Sequence, residues 1–186
     1  MICFLLVTSA VRAQLAINLK AGVQANDLAV RNNSSRYSSG IQSGYSLHFG
    51  AYTMFQIGRK ISLIPELQLI HKTSRVDGGG MGTIRLTYLE LPVMFSYAAT
   101  PWLAAETGPS IGVKLTDNTP SSYFNTLDAG VNLGLRFRLN EVWSLLGRYY
   151  YGLASVDKVY WAAPASGDLM RLYNQNFQLS VTYIFQ

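Results

Sequence analysis

Between Leu127 and Leu139 the chain alternates without a break. Leu127, Ala129, Val131, Leu133, Leu135, Phe137 and Leu139 are interleaved with Asp128, Gly130, Asn132, Gly134, Arg136 and Arg138. A two-residue period puts successive side chains on opposite faces of an extended strand, so this segment has one apolar and one polar face. The same period recurs over 15–25, 43–57, 61–74, 84–97, 102–115, 142–155 and 175–185. With 126–139 these make eight expected strands of roughly 11–15 residues, whereas soluble strands average about 5–6. About 9–11 residues suffice for a tilted strand to cross a bilayer. In 84–97 the period holds for Leu89, Leu91, Val93 and Phe95, but Ile84 and Leu86 fall out of phase. A β-bulge is therefore expected near Thr87.

Composition narrows the class. Of the 186 residues 49% are hydrophobic and only 13% charged, against about 25% charged in a typical soluble domain. So apolar a chain is not intrinsically disordered. Its single cysteine, Cys3, has no partner for a disulfide within the chain. No run of about 18 uncharged apolar residues is present to form a membrane-spanning helix. A chain rich in apolar residues that are dispersed by alternation fits a transmembrane β-barrel. The net charge is +5, but the basic residues are scattered rather than patched, so no nucleic acid partner is expected.

The connections alternate in length. Long polar ones are expected at 26–42, 75–83, 117–125 and 156–174, and short ones at 58–60, 98–101 and 140–141. That pattern reads as an eight-stranded antiparallel up-and-down barrel of the cell outer membrane, with short periplasmic turns and longer external loops. Residues 1–13 read as a signal peptide: an apolar core from Ile2 to Val7, then Val11 and Ala13 at the −3 and −1 positions. No basic n-region precedes that core, so the signal peptide is expected to start upstream of Met1. Residues 14–186 would form the mature barrel domain.

Glycine decides which face points inward. Gly22, Gly44, Gly50, Gly108, Gly112, Gly130, Gly134 and Gly152 share the polar face, and Gly147 is the exception. On a solvated face glycine only weakens a strand. Inside an eight-stranded barrel, just wide enough for side chains, it makes room. The polar face is therefore placed inside and the apolar face against lipid. The lumen is then expected to hold Lys20, Glu66, Lys72, Glu90, Glu106, Lys114, Asp128, Arg136, Arg138 and Arg148. Mixed signs in a narrow interior predict a salt-bridge network that closes the lumen, because buried charges must be paired. Aromatic girdles are expected from Tyr97, Trp102, Trp143, Tyr183 and Phe185 at the short-turn end, and from Tyr45, Tyr88, Tyr151, Tyr173 and Phe177 towards the other. Pro65, Pro92 and Pro109 each remove a ladder donor, so bulges or register ends are expected there.

A resemblance enters at several short motifs. These are Ile64-Pro65-Glu66-Leu67, Tyr88-Leu89-Glu90-Leu91-Pro92-Val93, Gly108-Pro109-Ser110-Ile111-Gly112, Gly147-Arg148-Tyr149-Tyr150-Tyr151-Gly152-Leu153 and the closing Tyr183-Ile184-Phe185. Taken in order they resemble the PorT-like outer-membrane β-barrel family of Bacteroidota. The resemblance covers nearly the whole mature chain. It implies a small eight-stranded outer-membrane barrel, treats the prolines as a family habit, and carries no catalytic residue. Through the family's name-giving member the resemblance also implies a link to type IX secretion.

No enzymatic activity, cofactor or metal is expected. Barrel enzymes need a His within reach of a Ser or carboxylate. Of the two histidines, His48 is placed mid-strand and inward, and His71 on the lipid-side phase. Asp77-Gly78-Gly79-Gly80 lacks both the Lys-Ser/Thr of a phosphate loop and calcium-loop spacing. The expected partners are outer-membrane lipids and a protein at loops 26–42 and 156–174, the latter carrying Val159, Tyr160, Trp161 and Met170. The expected role is a closed structural or interaction barrel. The alternatives are a secretion accessory or an exported soluble ligand-binding barrel. These readings predict that the protein stays with the membrane fraction and runs at different positions on SDS gels with and without boiling. A soluble protein with one mobility would invert the assignment of faces.

Overall fold

The computed structural model describes residues 17–31, 41–76, 83–118, 124–156, 161–162 and 169–185. The segment 1–13 lies outside them. Eight long strands form: β1 (Asn18–Arg31), β2 (Ile41–Tyr52), β3 (Ile61–Val76), β4 (Thr83–Ala98), β5 (Leu103–Asp117), β6 (Leu127–Arg138), β7 (Trp143–Ser155) and β8 (Leu169–Tyr183). No helix occurs among the described residues. Each strand pairs antiparallel with its sequence neighbours. The sheet closes through β1 and β8, in register from Leu19↔Tyr183 to Arg31↔Arg171. Closure leaves no unpaired edge, which a bilayer requires because it offers backbone groups no hydrogen bonds. Two two-residue strands sit beside the main eight. Phe55–Gln56 pairs with β3 below a break at Thr53–Met54, and Trp161–Ala162 pairs with the start of β8.

The polar face points inward. Arg148 is 1% exposed, whereas Leu133, on the opposite phase of the adjacent strand, is 60% exposed. The largest apolar side chains of β6, Leu127 to Phe137, all lie on the outside. A soluble barrel would have the reverse polarity, so the soluble alternative is corrected here.

The wall rises higher than the sequence suggested. β1 runs through Asn26 to Arg31 and β8 begins at Leu169, so strand occupies parts of both segments taken as loops 26–42 and 156–174. Within 156–174, Trp161–Ala162 pairs with Leu169–Met170, and Val156 is fully buried. Val159 and Tyr160 lie outside the described residues, as does the stretch 77–80.

The register shift near Thr87 is present, but the additional residue is on the facing strand. Thr87 pairs with Thr116 and Tyr88 with Lys114, so Leu115 of β5 is the extra one. β4 keeps its phase throughout: Ile84, Leu86, Tyr88, Glu90, Pro92 and Met94 are all buried inside. Ile84 and Leu86 are apolar residues on the inner face, not a change of face. Two more shifts, between Ser43 and His48 and between Tyr173 and Gln175, also fall in the external half of the barrel.

Of the bulges or register ends expected at the prolines, no bulge is present, but the ladder is interrupted beside them. Pro65 lies opposite Val93, beside Pro92, and Pro109 is on the next strand. Pairing is interrupted opposite Leu91–Pro92 on one side of β4 and opposite Val93–Met94 on the other, then resumes in the same register. The three missing donors are thus confined to one patch of wall. The β5 backbone closes tightly on β4 there: a Cβ built on Gly108 would lie 2.0 Å from the Val93 carbonyl oxygen. Gly108→Val is expected to cost about 1–3 kcal/mol through overpacking, read as a lowered urea midpoint for unfolding from lipid. Gly58→Ala, whose Cβ would meet only Ile61 at 3.7 Å, is expected to stay within about 0.5 kcal/mol of wild type.

Candidate functional site

Inward phase carries eight charged side chains into the lumen, where they form two separate ion-pair clusters. The first is centred on Glu66 of β3. Lys20 of β1 donates to its Oε2 at 2.6 Å. Arg148 of β7 grips both oxygens, Nη1 to Oε2 and Nη2 to Oε1, each at 2.8 Å. Gln68 adds a fourth bond at 2.8 Å. The same Arg148 Nη2 reaches Glu106 of β5 at 3.0 Å, and Arg136 Nε of β6 holds the other Glu106 oxygen at 2.5 Å. Arg136 also lies 5.1 Å from the Tyr52 ring centroid and donates to Tyr52 OH and Thr182 Oγ1, both at 3.3 Å. Three cations and two carboxylates alternate, a formal balance of +1, and they tie five of the eight strands together across the barrel. Planar guanidinium forks suit this role because one group can satisfy two carboxylates at once.

The second cluster lies nearer the external end. Lys72 of β3 meets Glu90 at 2.7 Å and Asp128 at 3.0 Å. Its ammonium sits 4.7 Å from the ring centroids of both Tyr88 and Tyr150, so two aromatic faces add cation–π attraction. Tyr150 OH and Asn174 Nδ2 donate to Asp128 at 2.9 and 2.6 Å. One cation and two carboxylates give a formal −1, which offsets the first cluster. Between the two lies a neutral polar layer. Gln24 binds Asn26 and Ser46, Gln178 binds Gln24, and His48 Nε2 lies 2.8 Å from Ser180 Oγ.

Apolar side chains bound this column at both ends. On the periplasmic side Tyr52, Ile64 and Met94 pack together with Met54 against them. On the external side Leu28, Ile84, Leu86, Tyr88, Phe124, Val156 and Leu172 form a buried cluster.

Of the ten expected lumen charges, the structure brings Lys20, Glu66, Glu106, Arg136 and Arg148 into one cluster and Lys72, Glu90 and Asp128 into the other. Lys114 joins neither. It pairs with Asp117 three residues on and donates to the Phe124 carbonyl at 3.2 Å, at the external rim. Arg138 has the inward phase but ends β6, so its side chain is exposed at the periplasmic rim, outside both clusters. Tyr88 does not belong to the external girdle; it is wholly buried in the lumen. The periplasmic girdle includes close ring pairs: Trp102 stacks on Phe137, and Tyr183 contacts both Trp143 and Phe185. His71 is on the outer surface, bonded to Thr87 Oγ1 at 2.9 Å. Sequence reasoning placed Gln24 and Ser180 on the inward face but missed Tyr150 and Asn174. Strand phase could have found them, since Tyr150 is two residues from Arg148 and Asn174 four from Gln178.

His48 and Ser180 stand at the separation of a base and a nucleophile, but both are buried in the barrel interior. Among the described residues no group of three or more His, Cys, Asp or Glu side chains could hold a metal ion.

A closed eight-stranded sheet with an apolar exterior and a paired polar interior defines an integral outer-membrane barrel. The sequence matches the family described as outer membrane protein beta-barrel domain over residues 10–158, and the chain belongs to that family. No curated protein matches it. Its fold is similar to that of Neisserial surface protein A (TM-score 0.59, 9% identity, 91% of this chain and 97% of that one). It is also similar to OprG of Pseudomonas aeruginosa (TM-score 0.50, 11% identity, 92% and 96%). Ail of Yersinia pestis is a third similar structure (TM-score 0.50, 8% identity, 92% and 99%).

Removing one partner from a buried pair leaves the others uncompensated, at a cost of about 3–5 kcal/mol. Glu66→Gln, which strips the shared anion from Lys20 and Arg148, is expected to lose an amount of that order in urea unfolding from lipid bilayers. Arg138→Gln, at the exposed rim, is expected to change stability by less than about 0.5 kcal/mol.

Proposed function

We propose that this protein is a sealed, non-catalytic barrel that serves as a rigid outer-membrane scaffold and meets partners at its external end. The observation that carries this reading is the layered lumen. Two mutually offsetting ion-pair clusters fill the middle, a buried apolar cluster lies above them, and Tyr52, Ile64 and Met94 pack below them on one side of the barrel. An ion entering this path would have to cross the external apolar cluster and displace bidentate, desolvated pairs, each of which opposes a hydrated charge. An interior committed to pairing its own charges leaves the external segments as the place for recognition. Ail, similar in fold, has been solved in complex with the heparin analogue sucrose octasulfate, so a barrel of this size is compatible with engaging a ligand.

The finer assignment, a PorT-like barrel with an accessory role in protein secretion, rests on the ordered motifs. Three of them place Pro65, Pro92 and Pro109, and these residues converge on one patch of the wall. A deletion strain that loses secreted cargo would favour that role, and unchanged secretion would remove it.

Sealing is tested in planar lipid bilayers. Wild-type protein is expected to give no steady conductance, and Arg148→Ala, which vacates the centre of the larger cluster, is expected to give measurable leak. A large steady wild-type conductance would overturn the proposal.

A further inference from the structure

The lipid-facing wall is not uniform. On its periplasmic half, from Ile61 at the start of β3 across to β8, mostly outward apolar side chains frame a groove of about 1120 Å³. One continuous rung of paired residues crosses it: Tyr97, Ala105, Leu135, Gly147 and Leu179. Large and small side chains alternate along that rung, so depressions lie over Ala105 and Gly147 on either side of the Leu135 ridge. Gly147 is the glycine that departs from the inward pattern, and the backbone does not require it. A Cβ there would meet only Phe177 Cζ at 3.9 Å, an ordinary contact, whereas one at the inward Gly22 would lie 2.1 Å from a neighbouring carbonyl oxygen. The space over Gly147 is therefore not a by-product of strand packing.

The periplasmic end of this groove carries positive charge. The Lys60 carbonyl accepts from Ala98 N at 2.8 Å, and its ammonium lies 6.0 Å from the ring centroid of Tyr97, which lines the groove. Arg138 N donates to the Trp102 carbonyl at 2.8 Å, and the Arg138 side chain, on the inward phase, is exposed at the rim where β6 ends. Arg59 is exposed in the same turn as Lys60, and the opposing charge in these turns is the exposed Glu141. Three cations against one anion leave +2 at this rim. Trp102, stacked on Phe137, marks the level at which headgroups meet acyl chains.

We propose that this groove binds an anionic phospholipid of the periplasmic leaflet. Its acyl chains would lie over Ala105 and Gly147, and its phosphate would be held by Lys60 beside Tyr97, with Arg59 and Arg138 adding positive potential at the rim. Apolar concavity supplies the chain contact, and the basic rim supplies selection for a negative headgroup.

Native mass spectrometry of the full chain folded in detergent tests this, with phosphatidylglycerol and phosphatidylcholine of identical acyl chains as probes. Wild type is expected to retain phosphatidylglycerol over phosphatidylcholine by about fivefold or more, given two interfacial cations. The double variant Lys60→Gln/Arg138→Gln is expected to lose that preference while keeping its heat-dependent gel shift. Gly147→Leu, which fills the floor, is expected to lower retention of both lipids. Equal retention of the two lipids by wild type would overturn the proposal, as would a lipid-free dimer. So would a folded Gly147→Leu that retains lipid at the wild-type level. If Gly147→Leu does not fold, the rim variant decides: an unchanged headgroup preference overturns the site.

Discussion

An eight-stranded barrel in a bilayer has an interior too narrow for bulk water and an exterior that offers no hydrogen bonds. A charge turned inward must therefore find its counter-charge within the same barrel. The rest of this structure follows from that constraint. Glu66 takes donors from Lys20, Gln68 and Arg148, and Arg148 passes on to Glu106 and then Arg136. These residues come from distant parts of the chain, so the network forms only when the barrel closes in the correct register. A slip of one residue in any of these strands would turn that strand's charges towards lipid.

The same narrowness explains the glycines. A Cβ on Gly22 would collide with the β8 backbone and come within 2.8 Å of His48 Cε1; one on Gly130 would enter the Tyr150 ring. Missing side chains on one strand are thus matched by large polar or aromatic ones beside them. The formal balance of the two clusters, +1 and −1, leaves the lumen neutral overall while separating charge along its axis. That arrangement suits a static pillar better than a path, because moving an ion along it would break pairs made in low dielectric.

Much of this was legible in the sequence, because a two-residue period is a direct readout of strand face. Eight strands, the inward polar face and eight of the ten lumen charges follow from phase alone. Phase does not show where along the axis a residue lies. Arg138 and Arg136 share a face, yet two residues separate an exposed rim from a buried cluster. Nor does phase distinguish an apolar residue turned inward from a change of face, so Ile84, Leu86 and Tyr88 were misplaced; they cap the lumen instead. The bulge at Leu115 was anticipated in height but not in strand, since a register shift belongs to a pair of strands and one sequence segment shows only half of it. The prolines needed the fold: only the register shows that Pro65, Pro92 and Pro109 share one patch of wall, with the ladder interrupted on both sides of β4.

The central claim is that cross-barrel ion pairing, with Glu66 and Arg148 at its heart, holds the closed barrel together. A double-mutant cycle between Glu66→Gln and Arg148→Met, read by urea unfolding in lipid bilayers, addresses it most directly. Contacting partners in one buried network are expected to couple by about 1.5–3 kcal/mol, each single variant costing far more than its share of the double. Additivity within about 0.5 kcal/mol would mean that the two side chains do not support one another, and the account of the lumen as a paired pillar would be contradicted.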